Sequence, residues 1–422
     1  MLSLSRIRNN PEQIKAGLDS RNESIDLDKV LKLDEKQREK IHQLNEMRAQ
    51  RNSVSEAIAE AKRSGKDSDD AIADMRKVSD IIRDLEKVVS DIEQTLDDQL
   101  ELIPNIPHDT VPVGQDEVAN KVIREWGEPL AADFDVKTHV EIGTDLKLFD
   151  LKRGAKISGS GFPLLTGLGA KLERVLINFM LDFHVQKHGF TEIFPPFLTR
   201  SDSPRTCGQL PKFAEDMYYI EKDDLYLIPT AEVPLTNVFS NEIMDEGDLP
   251  GNYAAYSACF RREAGSYGKD TRGLLRLHQF NKVEMVKFVE PETSYDELEN
   301  LTSQAEEILQ QLGLHYRVIV LSTGDLSFAA SKCFDLEVWA PGEEKWLEVS
   351  SCSNFEDFQA RRGNIRYRRT ADKKVDFVHT LNGSGLAMPR LMVALLETYQ
   401  TPDGKVLLPK VLHEPMGQEV LG

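Results

Sequence analysis

The chain has 422 residues, of which 40% are hydrophobic and 29% are charged, a composition typical of a folded protein with two or three domains. Its 71 Asp and Glu residues outnumber its 52 Lys and Arg residues, and the formal net charge is −19 at pH 7. This acidity excludes a generic polyanion binder, so any contact with nucleic acid must be local.

The cysteines and the apolar runs indicate an intracellular protein. Cys207, Cys259, Cys333 and Cys352 show no CxxC or CxxxxC spacing, so we expect reduced thiols and no zinc site. The first residues lack the apolar run of a signal peptide, and no stretch of about 18 apolar residues occurs. We therefore expect a cytoplasmic protein that does not enter a membrane.

Residues 1 to about 103 are rich in charged residues and predict a helical hairpin. Apolar residues recur at alternating spacings of three and four, the pattern of a coiled-coil seam. These positions are Met75, Val78, Ile82, Leu85, Val89, Ile92 and Leu96. A rougher version runs from Val30 to Ala61, and residues 64–69 read as a turn with an Asp N-cap. Two antiparallel helices are predicted, ended by the prolines at 104 and 107.

The two predicted helices differ in charge. Residues 27–66 contain ten Lys or Arg against seven Asp or Glu, whereas residues 70–101 contain four against ten. Two interpretations are open from the residues alone. The charges are either two solvated faces of a coiled coil, or the first helix faces a phosphate backbone.

From about residue 114 the sequence predicts a mixed α and β domain. Helical patterns cover 168–187, 296–312 and 390–397. Strand-like runs cover 225–228, 256–260, 283–289, 316–321, 334–339 and 346–349. Because strands and helices do not alternate regularly, the pattern favours an α+β fold with a mainly antiparallel sheet flanked by helices.

The densest group of polar residues lies at 260–263 and 276–284, on either side of a Gly-rich, charged loop. The two segments predict a hairpin on which side chains two positions apart share a face. Arg261 and Glu263 then point the same way, and so do Phe280 and Glu284 if the return strand is regular from Arg276. Such a face suits a phosphate or carboxylate and a nucleotide base. A salt-bridged surface hairpin is the alternative from residue types alone.

Two further segments are weaker signals. In residues 382–390, Gly383 and Gly385 allow close approach to a ligand, Pro389 suits a first helical turn, and Arg390 can reach a phosphate. Residues 189–198 follow a long apolar helix and indicate the entry to an edge strand. Neither segment specifies a function by itself.

Together and in this order, the three segments resemble the motifs of the class II aminoacyl-tRNA synthetases. Residues 189–198 look like motif 1, 260–284 like motif 2 and 383–390 like motif 3. Thr230-Ala231-Glu232, residues 208–213 and the helical hairpin make the chain resemble the seryl-tRNA synthetase family, bacterial type, over nearly its whole length. Two departures are Gly161, where a basic residue is expected, and Cys207, where Gly or a small polar residue is usual.

The resemblance implies two domains and a two-step reaction. A tRNA-binding helical-hairpin arm would cover residues 1–110 and a class II catalytic domain residues 111–422, which would form a homodimer through the motif 1 helix and strand. ATP would activate L-serine to seryl-adenylate, and serine would pass to tRNA(Ser). Charging of tRNA(Sec) is left open. The alternatives are a paralogue that charges a carrier protein with a small amino acid, and a non-catalytic coiled-coil scaffold.

The resemblance also implies the site residues. Arg261 and Arg390 would be catalytic. Serine would be held by Thr230, Ala231, Glu232, Arg261, Glu284, Asn382 and Ser384. ATP would be held by Arg261, Arg262, Glu263, Arg276, Phe280, Glu348, Val349, Ser350, Ser351 and Arg390. Glu348 and Ser351 would coordinate Mg²⁺ at the phosphates. The expected tRNA contacts of the arm are Arg48, Arg51, Lys62 and Arg63.

Overall fold

The computed structural model describes residues 1–65, 67, 69–264 and 272–422. They form two compact units. A helical unit comprises Leu2–Asp19 and Glu23–Pro104, and a sheet unit comprises Met1, Ser20–Asn22 and Asn105–Gly422. Across these described ranges, every helix is too short or too polar to span a bilayer.

Two long helices dominate the helical unit. Its helices are α1 (Leu4–Asn9), α2 (Pro11–Ser20), α3 (Leu27–Arg63) and α4 (Asp69–Glu101). The Asp26 side chain caps α3 by accepting from the amide of Lys29 at 3.1 Å, which satisfies an otherwise unpaired donor. With 37 residues, α3 is about 55 Å long at 1.5 Å per residue.

The seam between α3 and α4 confirms the predicted hairpin. Leu44 of α3 forms an apolar cluster with Val78 and Ile82 of α4. Ser55 lies 3.3 Å from the sulfur of Met75, and Arg48 pairs with Glu86 at 2.7 Å. Residue numbers rise along one helix as they fall along the other, so the helices are antiparallel. In the predicted turn, Asp67 accepts from the amide of Asp69 at 3.0 Å, while residues 66 and 68 lie outside the described residues.

The sheet unit combines helices and strands. Its helices are α5 (His139–Asp145), α6 (Leu151–Ser158), α7 (Gly167–His188), α8 (Asp202–Thr206), α9 (Glu232–Thr236), α10 (Ser294–Gln311), α11 (Phe358–Gly363), α12 (Met388–Thr398) and α13 (His413–Met416). Its strands are β1 (Lys121–Trp126), β2 (Thr191–Glu192), β3 (Leu198–Arg200), β4 (Tyr219–Ile220), β5 (Leu225–Leu227), β6 (Ile243–Asp245), β7 (Gly251–Phe260), β8 (Gln279–Val289), β9 (Tyr316–Val320), β10 (Lys332–Ala340), β11 (Lys345–Asn354), β12 (Arg366–Arg368), β13 (Val375–Phe377), β14 (His379–Ala387), β15 (Val406–Leu407) and β16 (Val420–Leu421).

An eight-stranded sheet organises this unit, in the order β1-β9-β10-β11-β14-β8-β7-β2. Its neighbours are antiparallel except β2 and β7, which are parallel. The main apolar core includes buried residues of the sheet and of α7, α10 and α12, among them Leu176, Ile308 and Leu391. The predicted α+β fold with a mainly antiparallel sheet is confirmed.

The central strands bring distant segments into register. Strands β7 and β8 pair from Gly251 opposite Phe288 to Phe260 opposite Gln279. On the other side of β8, Ser384 of β14 lies opposite Glu284, and a register shift follows between Ser384 and Ala387. The shift lies just before Met388, where α12 begins, and the predicted segments 276–284 and 382–390 meet there.

The return strand is shorter than predicted. It begins at Gln279 rather than at Arg276. Gly273 turns the chain with a φ of +63°, and the amide of His278 donates to the carbonyl of Gly161 at 2.9 Å. Because that amide bonds to another segment, the β ladder starts one residue later. The regular alternation expected from Arg276 therefore applies only from Gln279.

All four cysteines are buried as free thiols. Cys259 lies on β7, Cys333 on β10 and Cys352 on β11, while Cys207 follows α8. The expectation of reduced thiols agrees with these positions.

Candidate active site

A cavity of about 300 Å³ lies where β8, β11, β14 and the start of α12 meet. It collects most of the site residues expected from the sequence. Those that line it are Thr230, Glu232, Arg261, Glu263, Arg276, Phe280, Glu348, Val349, Ser351, Asn382, Ser384 and Arg390. They come from segments as far apart as residues 230 and 390, and pairing of the strands brings them together.

Four expected site residues lie elsewhere. The Arg262 guanidinium stacks on Tyr218 at 5.0 Å, and the Arg262 amide donates to Asp216. Ala231 packs in a neighbouring apolar cluster, and the hydroxyl of Ser350 donates to the carbonyl of Ser384 at 2.6 Å. These three side chains lie outside the cavity wall. Glu284 is the fourth, and it forms the buried polar centre next to the wall.

Glu284 is fully buried and receives three donors. The Thr230 hydroxyl donates to Oε2 at 2.9 Å, and the Asn382 amide donates to Oε1 at 3.1 Å. Lys282, itself 6% exposed, forms an ion pair with Oε2. A buried carboxylate is tolerated only when it is paired and hydrogen-bonded in this way. The result is a fixed acceptor close to a cavity that can take a small polar ligand.

A second buried carboxylate, Glu232, begins the short helix α9. The Gln359 amide donates to its Oε1 at 2.7 Å, and Gln359 is in turn held by the hydroxyl of Thr380 at 2.8 Å. Burial, and then the charge of Glu284, raise the pKa of Glu232 to about 7. A cationic ligand bound here would stabilise the charged form of Glu232 and so lower its pKa.

Arg261 lies beyond the end of β7 with its guanidinium 5.2 Å from the centre of the Phe280 ring. Its Nε donates to the carbonyl of Pro229 at 3.3 Å, which fixes the direction of the side chain. The remaining guanidinium donors can serve an anionic group in the cavity, because arginine offers a planar set of N–H groups.

Two ion pairs cross one end of the cavity, beside Phe280 and the start of α12. Arg276 pairs with Glu263 at 2.7 Å, and Arg390 pairs with Glu348 at 3.2 Å while also donating to the Glu348 carbonyl at 2.9 Å. Glu263 adopts a φ of +53°, an uncommon backbone conformation for a residue other than glycine. The two arginines thus have partners that a phosphate can replace.

The donors available for a metal ion are oxygens. Glu348 and Ser351 both line the cavity from β11. Asp335 faces Ser351 across β10 and β11, and burial together with the charge of Glu348 raises the pKa of Asp335. A carboxylate and a hydroxyl on one strand suit Mg²⁺, which prefers oxygen ligands.

Several wall residues were not assigned a role from the sequence. Alternation along β8 predicts that Lys282 shares a face with Phe280 and Glu284, but it does not predict the ion pair with Glu284. Gln209 and Phe328 also line the cavity, but they come from loops whose path has no periodic signal.

The two residues that depart from the family pattern, Cys207 and Gly161, both lie in close contact with aromatic or cavity residues. Cys207 lies in the cavity wall beside Gly208, whose φ of +78° places it against Phe328. Gly161 has a φ of +81°, and a Cβ there would lie 2.2 Å from the ring of His278. That ring stacks on Phe162 at 5.5 Å. A basic residue at 161 would therefore require His278 to move.

On the helical unit, the expected tRNA contacts lie along α3. Arg48 is bound to Glu86 of α4, and Lys62 and Arg63 are exposed near the helix end. Arg51 is partly exposed one turn beyond Arg48.

Comparisons with known proteins match both units. The family model of the tRNA synthetase class II core domain (G, H, P, S and T) matches residues 216–399, and the seryl-tRNA synthetase N-terminal domain matches residues 1–107. A serine–tRNA ligase of Chloroherpeton thalassium is 53% identical over the full length of both chains. One from Carboxydothermus hydrogenoformans is also 53% identical, over 99% of this chain and 98% of its own.

Solved structures give the same result. The seryl-tRNA synthetase of Pyrococcus horikoshii complexed with ATP superimposes with a TM-score of 0.93, at 39% identity over 100% of this chain and 99% of that one. The cytoplasmic serine–tRNA ligase of Naegleria fowleri in complex with AMP gives 0.86 at 32% identity, over 98% and 95%.

The antiparallel sheet and its arginine-lined cavity define a class II aminoacyl-tRNA synthetase. The match extends through the helical unit, which the carrier-protein alternative does not explain. The chain belongs to the seryl-tRNA synthetase family, and ATP-dependent ligation of serine to tRNA is its reaction.

Proposed function

We propose that the cavity binds L-serine beside ATP and joins them to seryl-adenylate through the residues described above. The observation that carries this proposal is the position of the buried Glu284 carboxylate next to a wall that contains Arg261 and Arg390. A fixed acceptor for a hydroxyl and two guanidiniums for anions fit the two substrates in one cavity.

Activation is a displacement at phosphorus. An oxygen of the serine carboxylate forms a bond to the α-phosphorus of ATP, the bond to the bridging oxygen breaks, and pyrophosphate leaves with the electron pair. Arg261 is proposed to bind the α-phosphate and the serine carboxylate, where negative charge must be brought together. No general base is required, since the carboxylate is already the nucleophile and positioning carries the step.

The nucleotide is proposed to lie across the other end of the cavity. Phe280 offers a ring face to the adenine, and Glu263 offers an acceptor to its amino group. Arg276 and Arg390 are proposed to bind the outer phosphates of ATP. Each now pairs with a carboxylate within 3.2 Å, Glu263 or Glu348, and a phosphate can replace that carboxylate as its partner. Glu348 and Ser351 would hold Mg²⁺, which neutralises phosphate charge when it is bound.

Serine is proposed to be selected by its hydroxyl and its amino group. The hydroxyl donates to Glu284, and the ammonium group lies between Thr230 and Glu232. Asn382 and Ser384 close the pocket from β14. A site built to accept a hydroxyl rejects alanine strongly, since the buried carboxylate would lose a donor. Threonine is rejected by lack of space.

The second step is proposed to use residues 1–110 as a tRNA-binding arm and residues 111–422 as the catalytic domain. A basic α3 beside an acidic α4 can follow a phosphate backbone locally, although the whole chain has a net charge of −19. RNA helices are recognised largely by shape and backbone contacts. The expected partner is tRNA(Ser), and the same recognition could admit tRNA(Sec), which a charging assay with each RNA would decide.

We further propose a cytoplasmic homodimer that contacts no membrane. Phe194, in the segment resembling motif 1, is 75% exposed, and Leu198 on β3 is 40% exposed. Large apolar side chains that stay exposed in one short segment are candidates for cover by a partner. Sedimentation at micromolar concentration would test the dimer.

One assay tests the proposed activity. Serine-dependent exchange of pyrophosphate into ATP should proceed without tRNA. When tRNA(Ser) is added, labelled serine should become attached to it. Transfer of a small amino acid to a carrier protein would support the paralogue instead. A complete lack of exchange would support the scaffold.

A further inference from the structure

A buried cluster outside the cavity joins four segments of the sheet unit. His139, the first residue of α5, is fully buried, and so is Glu397 near the end of α12. The ligand atoms of His139, Glu343 and Glu397 lie within 4.8 Å of one another. The cluster is connected to the nucleotide end of the cavity by the segment 272–276.

Hydrogen bonds settle which ring nitrogen of His139 carries the proton. The amide of Leu274 donates to Nε2 at 3.1 Å, so Nε2 must be an acceptor. Nδ1 therefore carries the proton and donates to Glu397 at 3.0 Å, with Glu343 at 3.3 Å. A neutral imidazole has one donor and one acceptor, and both are used here.

The same bonds argue against a metal ion at this cluster. A cation on Nδ1 would require the proton to move to Nε2, where it would meet the Leu274 amide. The carboxylates are also satisfied. Glu397 accepts from the amide and ring of His139 and from the amides of Gly342 and Glu343, and Glu343 accepts from Arg272 at 2.9 Å.

The segment that His139 holds is the end of the motif 2 loop. Gly273 turns directly over the ring, and a Cβ at this glycine would lie 2.1 Å from Nε2. The next residues reach the cavity. The carbonyl of Leu275 accepts from Nε of Arg390 at 3.5 Å, and Arg276 pairs with Glu263. The hydrogen bond from Leu274 to His139 therefore lies directly before Leu275, whose carbonyl contacts Arg390, and Arg276, which is itself proposed to bind ATP.

We propose that His139 is a positioning residue for ATP: its Nε2 fixes the Leu274 amide and so sets the place of Arg276 and of the Leu275 carbonyl that holds Arg390. Glu397 keeps the ring in the required tautomer, and it links the loop to the same helix that carries Arg390. This inference rests on the proposed roles of Arg276 and Arg390 in binding ATP.

Two substitutions of His139 test its Nδ1 and Nε2 hydrogen bonds separately. The side-chain amide of His139→Asn can replace Nδ1 and donate to Glu397, but it is too short to accept from Leu274. The carbonyl of His139→Gln can take the place of Nε2 and accept from Leu274. In pyrophosphate exchange we expect His139→Asn to raise the KM for ATP about three- to tenfold, the size of one lost hydrogen bond. We expect His139→Gln to stay near the wild-type value, and the KM for serine to be unchanged in both.

Gly273→Ala is a second way to break the hydrogen bond between Leu274 and His139. The added Cβ would displace the turn, while Glu343 and Glu397 are unchanged. It should raise the KM for ATP as His139→Asn does, and the double variant should be no worse than the weaker-binding single variant. Thermal unfolding of each protein checks that it is folded. Equal KM values for ATP in the Asn and Gln variants, or additive effects in the double variant, would overturn the inference.

Arg276→Ala distinguishes this inference from the proposed function. If Arg276→Ala raises the KM for ATP but His139→Asn does not, the positioning role is wrong and the ATP site stands. If neither variant changes the KM for ATP, the proposed place of ATP is wrong and the inference falls with it.

Discussion

The carboxylates of Glu232 and Glu284 share one buried corner of the site, and Thr230 contacts both residues, donating its hydroxyl to Glu284 at 2.9 Å and accepting from the amide of Glu232 at 3.2 Å. Burial, and then the charge of Glu284, raise the pKa of Glu232 to about 7. An ammonium group that binds here favours the charged form of Glu232 and must compete with a proton.

The first prediction is that serine binding depends on pH through Glu232. Below pH 7 the carboxylate is protonated and neutral, so the KM for serine should rise as the pH falls from 8 to 6, approaching about tenfold per unit at the acid end. Glu232→Gln should bind serine weakly and without this dependence. A flat profile in the unsubstituted enzyme, measured by pyrophosphate exchange, would contradict the role of Glu232.

The second prediction concerns the serine hydroxyl. Glu284→Ala should lower the kcat/KM for serine, and the loss should correspond to about 2–4 kcal/mol of transition-state stabilisation, because the acceptor is removed. The loss for alanine should be much smaller. Lys282 loses its partner in this variant, so Glu284→Gln and a thermal unfolding measurement accompany it. An unchanged kcat/KM for serine would show that the hydroxyl binds elsewhere.

The third prediction concerns magnesium. Glu348→Gln should raise the Mg²⁺ concentration that gives half-maximal exchange about tenfold or more, since a charged oxygen ligand is lost. Glu337→Gln is the matched control, because Glu337 lies opposite Glu348 across β10 and β11 but pairs with Arg317 at 2.6 Å. Equal shifts in the two variants would argue against Glu348 as a ligand.

The fourth prediction concerns the charge of the arm. Replacement of Arg48, Arg51, Lys62 and Arg63 by Gln should weaken tRNA binding and flatten its salt dependence by a slope of roughly 1 per lost phosphate contact. Stability should change little, since exposed charges contribute about 0–1 kcal/mol each.

Helix α4 offers a matched control for this set. Arg76, Lys77, Arg83 and Lys87 are its four basic residues and are exposed, and their replacement by Gln removes the same charge. If both quadruple variants lose the same affinity and slope, the effect is one of net charge, and α3 has no special role.

The fifth prediction separates the two half-reactions. Every residue assigned to ATP or serine lies beyond residue 200, whereas the range 30–98 holds most of α3 and α4. Deletion of 30–98 with a short linker should therefore leave pyrophosphate exchange largely intact and lower tRNA charging by orders of magnitude through the KM for tRNA. Loss of exchange in a folded deletion variant would instead assign the arm a part in activation.

The parts of the fold that repeat with a regular period were predictable from the sequence. The heptad spacing located the seam between α3 and α4, and Val78 and Ile82 are buried there. Alternation along β8 placed Phe280 on the cavity wall and Glu284 beside it. Both periods follow from backbone geometry, which does not depend on the rest of the chain.

The parts that depend on contacts between distant segments were not predictable. Arg262 directs its guanidinium to Tyr218 because the chain leaves the ladder after Phe260. The early end of the ladder at His278 depends on the carbonyl of Gly161, more than 100 positions away. The cluster at His139 joins residues from four segments, none of which has a motif of its own.

The four buried thiols have a practical consequence. Desolvation raises the pKa of Cys207, Cys259, Cys333 and Cys352, so each is almost entirely in the unreactive thiol form at neutral pH. Alkylating reagents and mild oxidants should spare the native enzyme, even though Cys207 stands in the cavity wall. A single cysteine introduced at an exposed position on α3 would then be the preferred target for a fluorophore or spin label, and the response of α3 to added tRNA could be measured without first removing the natural cysteines.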